Sequence, residues 1–171
     1  MTLSNQKMSV REKRLRHEFQ AITELVNNSA GSLKIISKKG NPPYEYIIQY
    51  KCRGIQNLQG NQPNLSQEHR VRITLGQNYP TEVPDAKFLT PIFHPNVYNS
   101  NRVCLGKYQA LQETLVELVL RIGKMIQYSP DVTNLNSPAN PEAKIWASQN
   151  QQRFPLDNQT FKPKISWNNL S

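Results

Sequence analysis

The sequence predicts an α+β domain, on three observations. A capped amphipathic helix opens the chain, four β-rich segments follow it without an intervening helix, and two helical patterns close it after a long stretch without period. At 171 residues the chain is long enough for one domain with a real core and too short for two comfortable ones. We read a single domain over 1–171, with its core at about 9–150 and an irregular tail over 151–171.

The first helix spans roughly 10–27. Ser9 with Glu12 three residues on is a capping-box pattern, and Leu15, Phe19, Ile22 and Val26 then recur at helical spacing. Arg11, Lys13, Arg14, Arg16 and His17 fall on its outer face, either as a solvated surface or as a dock for an acidic partner. The segments "SLKIIS", "YEYIIQYKCRGI", "EHRVRITL" and "DAKFL" are rich in β-formers and are separated by Gly, Asn and Pro in stretches such as "KKGNPP" and "QGNQPN". Four strands in succession predict an antiparallel meander. Cys52 lies inside the second, where a thiol is packing.

After the fourth strand the chain runs irregularly through "FHPNVYNSNRVCLG", and long loops in compact domains usually carry function. Taken alone, Cys104 in this stretch is a small hydrophobe, a metal ligand or a nucleophile. Leu111, Leu115, Leu118, Ile122 and Met125 then mark a central helix with a broad apolar stripe. Asn140 as N-cap and Pro141 at the first helical position begin a short third helix. Pro155 and Pro163 interrupt the remainder, which wraps or trails.

The formal charge of +9 calls for an acidic partner without choosing among nucleic acid, membrane surface and protein. Two cysteines without C-x-x-C spacing offer neither a disulfide framework nor a zinc site, so no metal is expected and a reducing compartment suits both thiols. No apolar run approaches the roughly 20 residues of a membrane span, and the N-terminus lacks the pattern of a secretory leader; we expect a cytoplasmic protein.

The order of elements and their residues resemble the ubiquitin-conjugating enzymes, over about 9–150. The resemblance is carried by "KRLRHEF", "NYPTEVP", "FLTPIFHPNVY", "RVCLG" and "SPANPEAKIW", and most specifically by the spacing of eight positions from Asn96 to Cys104. It implies the ubiquitin-conjugating fold and no cofactor. Cys104 would take ubiquitin or a ubiquitin-like protein from an activating enzyme as a thioester, which a lysine of a target protein then attacks. Asn96 would donate to the oxyanion of that attack, or hold the loop together. His94 would buttress the turn through backbone hydrogen bonds rather than act as a base, and Pro95 would fix it. Ser137, beside Pro138, would position the lysine at the gate of the site, unless it is only a loop residue. Lys13, Arg14, Arg16 and His17 match the surface that meets the activating enzyme.

The chain departs from the family where ring-finger ligases dock. Thr81 and Glu82 stand where an apolar anchor and a lysine are usual, and "GKYQALQETL" is shortened and has neither proline nor tryptophan. Docking of a common ligase is therefore not expected. The customary fourth helix also has no counterpart in the tail. Together these departures suggest a divergent, bacterial-type conjugation pathway, a class that includes antiviral defence. Two other functions compete: a non-catalytic binding module of the same fold, which would ordinarily have lost the cysteine, and a nucleic-acid-binding protein, suggested by "KYQAL" and "KPKISW" but lacking any base-reading motif.

Overall fold

The computed structural model describes residues 7–106 and 113–162. Leu111, most of the "GKYQALQETL" loop and "KPKISW" from Pro163 onward lie outside the described residues. Helix α1 runs Val10–Asn27, and its capping box is formed: the Glu12 N–H donates to Ser9 Oγ at 3.1 Å and the Ser9 N–H to Glu12 Oε2 at 2.8 Å. Strands β1 (Leu33–Gly40), β2 (Pro43–Gln59), β3 (Gln62–Thr74) and β4 (Asp85–Phe88) form an antiparallel sheet in the order of the chain. The meander is as expected, but β2 and β3 are longer than the alternating stretches suggested. They are joined by two residues, where Gly60 takes φ +61°, so the punctuation in "QGNQPN" is spent on one tight turn.

Pairing sets the faces. Tyr46, Ile48, Tyr50, Val71 and Ile73 point inward from β2 and β3, and α1 brings Leu15 and Ile22 to the same core. Helix α2 (Leu115–Ile126) is buried along Leu115, Leu118, Val119, Ile122, Met125 and Ile126. It starts at Leu115, after a second capping box between Thr114 and Glu117. Helix α3 spans Pro141–Gln149, with Asn140 Oδ1 accepting from the Ala143 N–H at 3.1 Å.

The chain beyond 150 is less irregular than the prolines imply. A 3₁₀ turn spans Gln151–Arg153, and the segment after it crosses back over the sheet. Asp157 accepts from the Arg53 N–H at 2.9 Å, and Phe161 is buried edge-on against Tyr50 at 5.6 Å between ring centres. The core expected at about 9–150 thus extends to Phe161, whose buried ring is joined by the hydrogen bonds of Asp157 to Arg53 and of Gln159 to Gln127 in holding the segment down. No described helix is long and apolar enough to cross a membrane.

A carboxylate is buried within this frame. Glu18 lies on the inner face of α1 between Leu15 and Ile22, where it accepts from Arg14 Nε at 2.6 Å, Tyr79 Oη at 2.7 Å and the Leu115 N–H at 2.9 Å. The last donor is in the first turn of α2, where a negative charge is favoured. One side chain therefore joins α1, the loop before β4 and the start of α2.

Candidate active site

The stretch after β4 carries a small hairpin that the sequence, read as irregular, did not reveal. Val97 pairs with Val103 in an antiparallel bridge, the Tyr98 N–H donates to Arg102 O at 2.9 Å, and the Cys104 N–H donates to Asn96 O at 2.9 Å. Asn101 closes the turn at φ +66°, a conformation that asparagine tolerates. The returning arm docks on β4 through Val103 N–H to Ala86 O at 2.8 Å. Opposed residues of an antiparallel pair share a face. Val97 and Val103 are buried on one side, and Asn96 and Cys104 face each other on the other. The spacing of eight positions is the step from one end of this hairpin to the other.

Cys104 is partly exposed and lines an open groove of about 440 Å³ with Val83, Pro84, Tyr98, Arg102 and Leu105. Cys52 is fully buried in β2, and burial pushes its thiol far above the ordinary range, so it is packing as expected. Among the described residues no group of three His, Cys, Asp or Glu side chains is placed to hold a metal ion.

Asn96 is 4% exposed, and its amide is committed on both sides. Nδ2 donates to Asn134 O at 2.7 Å, and Oδ1 accepts from the Asn134 N–H at 2.8 Å. The neighbouring Pro95 O accepts from the N–H groups of Ala139 and Asn140 at 2.8 and 3.0 Å. These four bonds clamp the 134–140 segment onto the His-Pro-Asn turn. Ser137 lies on that segment and is exposed; its N–H leans on Asn134 Oδ1 at 3.3 Å.

His94 is 1% exposed. Its Nδ1 accepts from the Asn96 N–H at 3.0 Å, so the neutral ring carries its proton on Nε2, and that nitrogen has no partner among the described residues. Burial pushes the imidazole down to about 3, so it stays neutral at physiological pH and stands beneath the turn rather than at the sulfur. It meets the Tyr128 ring edge-on at 4.5 Å, and Tyr128 Oη donates to Phe93 O at 2.5 Å. Tyr128, Trp146, Ile55 and Phe154 make a second small core, and this core is the platform of the site.

The helix residues divide. Lys13, Arg16 and His17 are exposed on α1. Arg14, expected beside them, is turned inward: its side chain is 23% exposed, bound to Glu18, and within 3.4 Å of Tyr79 Oη and Glu113 O. Four residues separate Arg14 from Glu18, so the buried carboxylate draws it off the outer face. Sequence reasoning also passed over Tyr98 and Asn134. Tyr98 has a readable signal, since alternation back from Cys104 across the "NSN" turn puts it on the Asn96 face; Asn134 has none.

The sequence model of the family described as Ubiquitin-conjugating enzyme matches residues 58–161. Among curated proteins, the Ubiquitin-conjugating enzyme E2 2 of Mycosarcoma maydis is 35% identical over 85 residues, which are 50% of this chain and 45% of that protein. Its namesake in Yarrowia lipolytica is 32% identical over 85 residues, 50% of this chain and 56% of that one. The chain spans about half the length of the curated relatives it matches. A solved structure described as a novel ubiquitin-conjugating enzyme superposes with a TM-score of 0.58 at 23% identity, covering 82% of this chain and 86% of the other, a likeness of fold.

Proposed function

Since the chain belongs to the ubiquitin-conjugating enzyme family, we propose that it accepts ubiquitin or a ubiquitin-like protein from an activating enzyme as a thioester on Cys104 and passes it to a lysine of a target protein. The observation that carries this reading is the 96–104 hairpin, which holds a partly exposed thiol opposite a buried asparagine at the rim of a groove. A thiol so placed can be reached by a large acyl donor and then by an amine.

Cys104 is the nucleophile. Asn96 serves first as the clamp on Asn134. Its second amide hydrogen, which has no partner among the described residues, is the one free to meet an oxyanion. His94 supports the turn from below. Ser137 sits at the gate, on the segment that Asn96 and Pro95 hold down. Lys13, Arg16 and His17 form the face that meets the activating enzyme, in the cytoplasm of a divergent, bacterial-type pathway.

The test is a charging reaction of the chain with activating enzyme, modifier and ATP, followed by a chase with free lysine. The expected result is a reductant-sensitive adduct that the chase discharges. Modifier bound without any adduct would make the chain a non-catalytic module instead.

A further inference from the structure

The exposed cations of α1 account for only part of the +9 charge, and a second set lies on the sheet. Burial of Val71, Ile73, Ala86, Phe88 and Val103 on the inner face turns Arg72, Lys87 and Arg102 to the outer one. Arg72 is paired with Lys87 and Lys87 with Arg102, so the three cations stand abreast. The second pair is the closer. The Val103 N–H donates to Ala86 O at 2.8 Å and the Phe88 N–H to Asn101 O at 2.9 Å on either side of it, which leaves Lys87 and Arg102 opposed without hydrogen bonds of their own, where side chains approach most nearly. Like charges directly opposite destabilise a sheet. Asp85 relieves one of the three by holding Arg102 at 2.6 Å. Arg70 stands two residues from Arg72 on the same face, and Lys34 joins that line through Gln49. Among the described residues no ion pair engages Lys34, Arg72 or Lys87. A row that breaks a local rule with no gain inside the fold marks a surface shaped for a partner.

We propose that this outer face docks double-stranded nucleic acid by its phosphate backbone, without reading its sequence. From Lys34 to Arg102 the track crosses four strand spacings, about 20 Å. A DNA duplex offers one negative charge for about every 1.7 Å of its axis, whereas an extended acidic peptide turns a carboxylate to one face only about every 7 Å. A protein partner is also gripped by apolar or aromatic anchors at the centre of its interface, and the centre here is Arg72 and Lys87. Interfaces with duplexes are instead polar and strongly positive. Single strands are held by rings that stack on their bases, and among the described residues the outward positions of β3 and β4 beside this row carry none. Such binding is a second function beside acyl transfer and needs no thioester.

The test is binding of a short fluorescent DNA duplex of arbitrary sequence to the uncharged full chain, followed by anisotropy across roughly 50–200 mM salt. Contacts from Lys34, Arg70, Arg72 and Lys87 should give log affinity against log salt a slope of about −3 to −4, since each phosphate contact contributes about 0.9. Arg72→Gln/Lys87→Gln should make that slope shallower by about 2, and it should melt no lower than the native chain, having lost a like-charge pair. Lys124→Gln/Lys144→Gln, which removes two charges from α2 and α3, should leave the slope as it was. Absence of binding at the low-salt end, a slope that the sheet variant does not change, or one that both variants change alike would overturn the proposal. So would tighter binding to a poly-glutamate peptide, or to vesicles of anionic phospholipid, than to the duplex. The chain is uncharged throughout, so every one of these results leaves the assignment of Cys104 to its own charging assay.

Discussion

The backbone N–H of Cys104 donates to the carbonyl of Asn96 across 2.9 Å, which makes the two residues direct partners on a hairpin rather than two residues of one loop. Whatever moves Asn96 therefore moves Cys104. Replacing Asn96 by Ala removes two side-chain bonds and strands the Asn134 N–H and C=O. We expect a loss of about 1–3 kcal/mol, read as a melting temperature lower by roughly 2–10 °C, and a fall in lysine discharge larger than the fall in loading. Equal loss of both steps would mean that only the fold had suffered.

Glu18 is the next point of leverage, as its carboxylate ties three elements together. Glu18→Ala leaves Arg14, Tyr79 and the Leu115 N–H without it. Breaking a buried ion pair costs about 3–5 kcal/mol, and the lower figure applies here because Arg14 keeps part of its surface in water. Chemical denaturation should show a midpoint shifted accordingly, with an unchanged slope.

The basic face of α1 should split in two. Arg16→Glu is expected to slow charging by the activating enzyme at low salt and to leave the melting temperature unchanged, as an exposed charge does. Arg14→Glu should destabilise the fold by facing its new carboxylate to Glu18. Equal, purely kinetic effects of the two changes would contradict the inward placement of Arg14.

Stability should also fall on acidification below about pH 6.5, through His94. His94 titrates at about 3 when folded and near 6.5 when unfolded, so below about pH 6.5 the unfolded chain binds a proton that the native chain refuses. The stability that the neutral ring confers is whole above that pH and drains away down to about pH 3. His69, also pushed down by burial, adds in the same direction. Urea midpoints measured between pH 7 and about pH 4 should fall steeply for the native sequence and less steeply for His94→Gln.

How much of this the sequence discloses depends on whether a residue's partner is near it in the chain. The caps at Ser9 and Asn140 were legible because each is satisfied within three residues, whereas the Asn96–Cys104 spacing was read through the family resemblance and the hairpin behind it was not foreseen. Thr114 and Glu117 formed an equally local box that the apolar stripe of α2 overshadowed. Glu18 was half legible, for it shares the three- and four-residue spacing of Leu15 and Ile22, yet a charged residue is read as solvated until its donors from the rest of the fold are known. Phe161 was not legible at all. An isolated aromatic in a proline-broken stretch has no period, and its pocket, between Tyr50 and the side-chain-free position of Gly123, exists only in the folded chain.

That last contact gives a further expectation. Truncation after Asn150, the end of the core as read from sequence, removes Phe161 from the sheet and Asp157 from Arg53. Phe161→Ala alone should cost about 3–5 kcal/mol, and the truncated chain at least as much by thermal melting.

The central claim is that Cys104 carries the acyl group, and locating the adduct tests it most directly. Cys104→Ala, Cys104→Ser and Cys52→Ala chains are each charged with activating enzyme, modifier and ATP, and the product is mapped by mass spectrometry before and after reductant. The account predicts a reductant-labile adduct on Cys104 in the native and Cys52→Ala chains, none in Cys104→Ala, and in Cys104→Ser an ester that resists reductant and yields to alkali. An adduct that persists in Cys104→Ala, or that disappears with Cys52, would contradict it.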